Sequence, residues 1–223
     1  GRQNSKLCNV DVELSGEGRE QAHLVGKRLA KYGIEAVYSS NLIRAKETAD
    51  IINEYVKKPR FVDERLREAE FGDLTGLENS VLKERYKDFL AERSKMEKDM
   101  AYPGGENCEM VFNRVFEAID EIAHKDYENV VVVTHGGAIR ALLTGIVKAD
   151  YAKWLTFGRQ LENCSISEIM YDKDLGTYHI ERLNDYAHFE DEFVRQAYLS
   201  VEDQLISYQI IKKTFWQWIF ESK

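Results

Sequence analysis

The sequence predicts a three-layer α/β/α sandwich around a mostly parallel central sheet. Helical and strand-like patterns alternate along its first 140 or so residues, as they do in layered α/β proteins. Four consecutive valines, at 130–133, indicate a strand that is covered on both faces. A chain of 223 residues, 43% hydrophobic and 31% charged, fits one domain of ordinary size with an appendage.

Two helices and two strands are predicted in the first third of the chain. A helix is marked by apolar residues at helical spacing: Ala22, Val25, Leu29 and Tyr32. The apolar run 34–38 then predicts a strand ending at Ser39-Ser40. A second helix is predicted from Asn41 on another apolar face: Leu42, Ala45, Ala49 and Ile52. It should stop before Pro59, and Phe61-Val62 should form a short strand.

The middle of the chain predicts an exposed helical excursion and then a return to the core. Residues 78–100 are dense in charge and precede a Pro103-Gly104-Gly105 loop, which predicts either a lid or a solvated connector. A third core-facing helix carries Val111, Val115, Ala118 and Ile122, and it leads into the valine strand. Two further strands are predicted at 165–171 and 178–183.

The last segment predicts a C-terminal helical extension, residues 193–223, beyond a domain of residues 1–192. Apolar residues recur near helical spacing: Tyr198, Val201, Leu205, Tyr208, Phe215 and Ile219. The helix is expected either to pack on the domain or to form a contact such as a homodimer interface. Its few basic residues argue against a membrane surface.

Charge and cysteine content exclude several classes of partner. A net charge of −8, from 31 basic and 39 acidic residues, argues against a broad nucleic-acid or membrane surface. The three cysteines are odd in number and far apart, which indicates neither a disulfide framework nor a metal knuckle. The cysteine pattern therefore predicts a reducing, cytoplasmic location, and neither a membrane-spanning run nor a signal-peptide pattern is evident.

The motif Thr134-His135-Gly136-Gly137 predicts an anion site. It follows the valine strand, and its glycines let backbone amides approach a ligand. The helix that begins there directs its unpaired N–H groups and positive dipole end to the same place. By itself the motif also fits a nucleotide-binding turn.

Two other segments complete a set with this motif: Ser39-Ser40-Asn41-Leu42-Ile43-Arg44-Ala45 and Leu66-Arg67-Glu68-Ala69-Glu70-Phe71-Gly72. Together with Leu14-Ser15-Gly16-Glu17-Gly18 and Pro103-Gly104-Gly105-Glu106, the set resembles the histidine phosphatase superfamily, the phosphoglycerate mutase-like proteins, over roughly residues 1–190. The resemblance implies a phosphoric monoester hydrolase that acts through a phosphohistidine on a small phosphorylated metabolite. Neither a cofactor nor a metal is implied.

The resemblance also implies the catalytic roles. Arg44 is the expected second arginine of the phosphate pocket, and His135 is the second histidine, which donates to the phosphoryl oxygens. Glu68 is the expected proton donor, preferred over Glu70 because it lies four residues before Gly72.

Three backbone or loop positions are expected to bind phosphate as well. The Gly136 amide is one, and Gly1 and Asn4 of the opening loop are the others.

The family's Arg-His-Gly motif, whose histidine attacks phosphorus, is not in the sequence. The chain opens at Gly1, the place of that motif's last residue. A truncation inside the motif is therefore expected, with loss of the first strand, the arginine and the nucleophile, and the present chain is expected to be inactive. Structural roles are expected for the histidines other than His135: His23, His124, His179 and His188.

Three other functions stay open at this stage. One is a phosphoglycerate mutase-like phosphotransferase, although the short stretch between Gly72 and Pro103 favours hydrolysis. The second is a non-catalytic phosphate-binding or scaffold protein that begins at Gly1. The third is a nucleotide-binding domain, which gives no reason for Arg44 and Glu68 to converge on His135.

Overall fold

A computed structural model describes residues 11–158 and 160–189 and contains a three-stranded parallel sheet. Its strands are β1 (Ala36–Ser39), β2 (Arg60–Val62) and β3 (Val130–Val133), in the order β2-β1-β3. Val37 of β1 pairs with Arg60 on one side and with Val131 on the other. Because the strands are parallel, the residues that follow them all lie at one edge of the sheet.

Six α-helices lie within the described ranges. They are α1 (Gly16–Leu29), α2 (Ile43–Val56), α3 (Asn79–Arg85), α4 (Lys87–Ser94), α5 (Cys108–Ala123) and α6 (Gly136–Ile146). Ser15 caps α1 by accepting from the Gly18 amide, and Asn107 caps α5 by accepting from the Met110 amide. Helix α2 ends in a left-handed residue, Lys57, two residues before Pro59. The helices predicted within residues 11–158 therefore exist, with ends shifted by a few residues.

The two faces of the sheet pack on different helices, which confirms the predicted three-layer sandwich. On one face, Val37 and Val131 pack with residues of α1 and α2: Val25, Leu29, Ala49 and Ile52. On the other face, Ala36 and Tyr38 pack with Ala118 and Ile122 of α5. Alternate residues of β1 thus point to opposite layers, as strand geometry requires.

The two late strands are confirmed, but they form a separate antiparallel pair. Strands β4 (Ile166–Asp172) and β5 (Thr177–Asp185) make a two-stranded sheet of their own. The Tyr178 hydroxyl donates to Asp120 of α5 at 2.7 Å. The Tyr171 hydroxyl lies 3.0 Å from Nε2 of His124. These two contacts attach the β4–β5 hairpin to the C-terminal end of α5, and the second gives His124 a structural role.

The charged excursion is helical, as expected, and one of its charged residues departs from the expectation of solvent exposure. Arg93 of α4 is only 8% exposed. Its guanidinium carbon lies 4.1 Å from the centre of the Tyr102 ring, and Nη1 donates to the Met100 carbonyl at 2.7 Å. Stacking on an aromatic face lets a buried guanidinium replace part of its lost hydration.

The chain divides into two units after Asp185, and only Tyr186–Phe189 of the second unit are described. In that short piece the Phe189 amide donates to the Tyr186 carbonyl at 2.9 Å. Several predictions concern residues outside the described ranges. They are the domain boundary at residue 192, the helical extension at 193–223 with its homodimer contact, and the loss of the family's first strand before Gly1. Of the helices in the described ranges, none is long and apolar enough to cross a bilayer.

Candidate active site

The carboxylate of Glu68 lies on the first turn of α6. One oxygen, Oε2, accepts from the Gly137 amide, and Oε1 accepts from the Ala138 amide, both at 3.2 Å. A Cβ on Gly137 would lie 2.3 Å from Oε1, so this position needs glycine for the contact to form. Glu68 therefore occupies part of the anion-binding end of a helix.

His135 immediately precedes that helix and is buried. Its backbone is extended, and the residue is 8% exposed. The pKa of His135 is lowered to about 3, mainly by burial. The positive charges of Arg44, Arg114 and Arg67 add to this lowering, in that order. At neutral pH the imidazole is therefore uncharged, and its Nε2 has no hydrogen-bond partner within the described residues.

Arg44 comes to the same edge of the sheet from α2. The chain leaves β1 at Ser39, turns through Ser40 and Asn41, and begins α2 at Ile43, which puts Arg44 in the first turn. The residue is partly buried, and its positive charge has the largest effect of any charge on the pKa of His135. Glu68 and His135 thus meet at the start of α6, and Arg44, from a third segment, lies near enough for its charge to lower the pKa of His135.

Residues 65–72, here called the acid segment, carry the two candidate acids, Glu68 and Glu70, and direct their side chains to different partners. Glu68 contacts α6, whereas Glu70 pairs with Arg67 at 3.3 Å and has a side chain that is 47% exposed. The Thr134 hydroxyl donates to the Leu66 carbonyl at 2.7 Å and joins the segment to the end of β3. The geometry therefore brings Glu68, not Glu70, to the helix that follows His135.

Of the other three residues expected to bind phosphate, the structure describes only Gly136. Gly136 is the first residue of α6, and its amide is not one of those from which Glu68 accepts. Gly1 and Asn4 lie outside the described residues. Across residues 11–158 and 160–189, no three His, Cys, Asp or Glu side chains are grouped to hold a metal ion.

Arg114 and Glu106 at this site were not given roles by the sequence reasoning. Arg114 forms a bidentate ion pair with Glu106, with both N–O distances at 2.8 Å. A signal was present in the sequence: Arg114 falls in the apolar stripe of α5, between Val111 and Val115. A charged residue in a core-facing stripe needs a buried polar partner.

Comparison with known proteins agrees with this arrangement. The sequence profile of the histidine phosphatase superfamily (branch 1) matches residues 3–186. Phosphoglycerate mutase-like protein 4 of Arabidopsis thaliana is 36% identical over 195 residues, covering 82% of this chain and 79% of that protein. The uncharacterized phosphatase PhoE of Bacillus subtilis is 31% identical over 167 residues, covering 74% and 79%. The chain therefore belongs to the histidine phosphatase superfamily.

A solved structure extends the likeness to the fold. The native structure of a mycobacterial glucosyl-3-phosphoglycerate phosphatase superposes with a TM-score of 0.73 at 28% identity, covering 82% of this chain and 93% of that one. The family prediction is thus confirmed, and the family includes proteins named as phosphatases and as phosphoglycerate mutase-like.

Proposed function

We propose that this chain carries the site of a phosphoric monoester hydrolase, with a small phosphorylated metabolite as substrate. The observation that supports this most is the convergence of Glu68, His135 and the charge of Arg44 at the start of α6. A phosphoryl group carries negative charge on three oxygens, so its transfer depends on positioned cations and N–H donors.

In the proposed reaction, three groups hold the phosphoryl oxygens. The planar guanidinium of Arg44 suits two oxygens at once. The neutral imidazole of His135 donates one N–H without adding a charge, which follows from its low pKa. The Gly136 amide supplies a further donor from the helix start.

The proposed chemistry has two steps, and Glu68 serves in both. First, a neutral imidazole attacks phosphorus, the bond from phosphorus to the ester oxygen breaks, and Glu68 gives its proton to the leaving alcohol. Then a water molecule attacks the phosphohistidine, the P–N bond breaks, and the Glu68 carboxylate takes the proton of that water. Phosphate and the original imidazole result.

The attacking imidazole belongs to the family's Arg-His-Gly motif, which this sequence does not contain. That the chain as given is inactive therefore stays a prediction. We also propose a cytoplasmic location and a reaction that needs no metal ion.

A mutase-type phosphotransferase is the second candidate, because one relative is named phosphoglycerate mutase-like. The short chain between Gly72 and Pro103, which holds α3, α4 and the end of a short 3-10 helix (Gly72–Leu74), favours the hydrolase. The two differ in the acceptor of the phosphoryl group, which is water in one case and a second hydroxyl in the other.

Binding of inorganic phosphate to the full chain tests the site without needing a nucleophile. We expect Arg44→Met to weaken binding by about tenfold or more, since it removes a charge-assisted donor pair. Arg85→Met, on the exposed surface of α3, is the matched control and should leave the affinity unchanged. Equal affinity in both variants, or no binding by the parent chain, would contradict the proposal.

Hydrolysis of p-nitrophenyl phosphate in EDTA tests the chemistry. The chain as given should show no turnover, whereas a version preceded by a strand that ends in Arg-His should release phosphate. EDTA-resistant turnover by the chain as given would overturn the claim about the nucleophile. Transfer to phosphoglycerate in place of phosphate release would favour the mutase.

A further inference from the structure

Every N–H group of the Arg114 guanidinium donates a hydrogen bond to another part of the protein. Nε and one N–H of Nη2 donate to the two carboxylate oxygens of Glu106, each at 2.8 Å. The other three N–H groups donate to backbone carbonyls of the acid segment, those of Arg65 and Arg67 at 2.8 Å and of Glu68 at 3.0 Å. A guanidinium has five N–H groups, so none is left for a ligand.

Glu106 holds the other side of the same segment. Its Oε2 accepts from the Glu70 amide, and its own amide donates to the Glu70 carbonyl, both at 2.9 Å. Burial raises the pKa of Glu106, but the Arg114 guanidinium and the Glu70 amide lower it by more, so that the carboxylate is ionised at neutral pH. The segment is thus tied on both sides of Glu68.

Close packing of two glycines makes these bonds possible. A Cβ on Gly105 would lie 2.2 Å from the Glu70 carbonyl oxygen, and one on Gly72 would lie 2.1 Å from that of Pro103. The acid segment therefore runs directly against residues 103–106. Residues 67–71 form neither helix nor strand, so these side-chain hydrogen bonds pair backbone groups that a helix or a β-sheet would otherwise pair.

We propose that Arg114, oriented by Glu106, is a positioning residue for Glu68. The pair fixes the backbone on both sides of Glu68 and so keeps its carboxylate on the Gly137 and Ala138 amides, within reach of the leaving oxygen. This inference rests on the proposed function for its catalytic meaning. The contacts themselves are a property of the protein without substrate.

The test compares Arg114→Lys and Glu106→Gln with Arg65→Lys in the full chain. Lysine keeps the positive charge but cannot reach three carbonyls and a carboxylate together. Arg65 is the matched control, since its side chain pairs with Asp63 and with Glu121 of α5 and is seen to donate to no carbonyl of the acid segment. The readouts are the NMR shift of Glu68 Cδ, hydrogen exchange of the Gly137 and Ala138 amides, and the Kd for inorganic phosphate.

We expect Arg114→Lys and Glu106→Gln to move the Glu68 signal and to speed exchange at the two amides about tenfold relative to α5 amides. The phosphate Kd should change by less than about threefold, because Arg44 and His135 stay in place. A general loss of structure would instead weaken phosphate binding and α5 protection together.

The inference would be overturned if the Glu68 signal and the exchange of the two amides were unchanged in both variants, as in Arg65→Lys. It would also be overturned if the Glu68 signal, amide protection and phosphate affinity were all lost together. If the parent chain binds no phosphate, the proposed function fails, while the Glu68 and amide readouts still decide whether Arg114 positions Glu68.

Discussion

The acid segment and the charged excursion are each held by an arginine, and the two arginines work in different ways. Arg114 saturates its five donors on Glu106 and on three carbonyls. Arg93 makes one hydrogen bond, lies over Tyr102, and has an Nη2 without a partner in the part of the chain that the structure describes. Directional bonds fix where atoms lie, whereas stacking on a ring fixes only the region that the side chain occupies.

The two regions meet at Tyr102. Burial raises the pKa of its phenol, the charge of Arg93 lowers it, and the charge of Glu68 raises it again. The same tyrosine packs edge-on against Phe71 of the acid segment, with ring centres 4.9 Å apart. The excursion is therefore next to the proposed site, but among the described residues Arg93 and Arg114 have no hydrogen-bond partner in common.

The largest expected effect is the loss of stability in Arg114→Met. The variant leaves the partly buried Glu106 carboxylate and three carbonyls without their donor, and breaking such a pair costs about 3–5 kcal/mol in the free energy of unfolding. Urea unfolding measures this change. Arg65→Met breaks one partly buried pair, with Asp63, and two pairs with exposed carboxylates, but it leaves no carbonyl without a donor, so it should cost clearly less than Arg114→Met. Equal costs for the two variants would contradict the comparison.

The next effect is the sensitivity of the site to acid. The folded pKa of His135, about 3, lies below its unfolded value of 6.5, so the contribution of this residue to stability is complete above pH 6.5 and is lost as the pH falls toward 3. At pH 4 the loss amounts to about 3 kcal/mol. His135→Gln cannot titrate, so its free energy of unfolding should fall by that much less between pH 8 and pH 4. Parallel pH curves for the parent and the variant would show that His135 is not the group responsible.

Periodic patterns made most of the fold predictable. The apolar run of β1, whose four residues are all buried, and the apolar stripe of α5 each lie in contiguous sequence, so one segment is enough to recognise them. The antiparallel pairing of β4 with β5 was not predicted, because the same local pattern fits either direction of pairing.

The site was predictable where a motif carries the information. The resemblance to the family, whose acid lies four residues before the glycine at the position of Gly72, was enough to prefer Glu68 over Glu70, although the role of Glu68 in catalysis stays a prediction. The roles of Arg114 and Glu106 depend on carbonyls that are brought near only by folding, 46 to 49 residues away along the chain. The burial of Arg93 depends in the same way on Tyr102 and Trp154, which no charge pattern in residues 78–100 reveals.

The smallest expected effect is that of Arg93→Met. The variant loses one hydrogen bond and the stacking on Tyr102, but it also removes a buried N–H group that has no partner among the described residues, and that removal is favourable. The net cost should therefore be about 1–2 kcal/mol, well below that of Arg114→Met.

The phosphate affinity of Arg93→Met should stay within about twofold of that of the parent chain. In the double variant, the cost of Arg93→Met in the free energy of unfolding should add to that of Arg114→Lys, since the two arginines share no hydrogen-bond partner among the described residues. Urea unfolding of the four proteins tests this additivity. Strong coupling would mean that the excursion and the acid segment act as one unit, and the difference between the two arginines would then be one of degree.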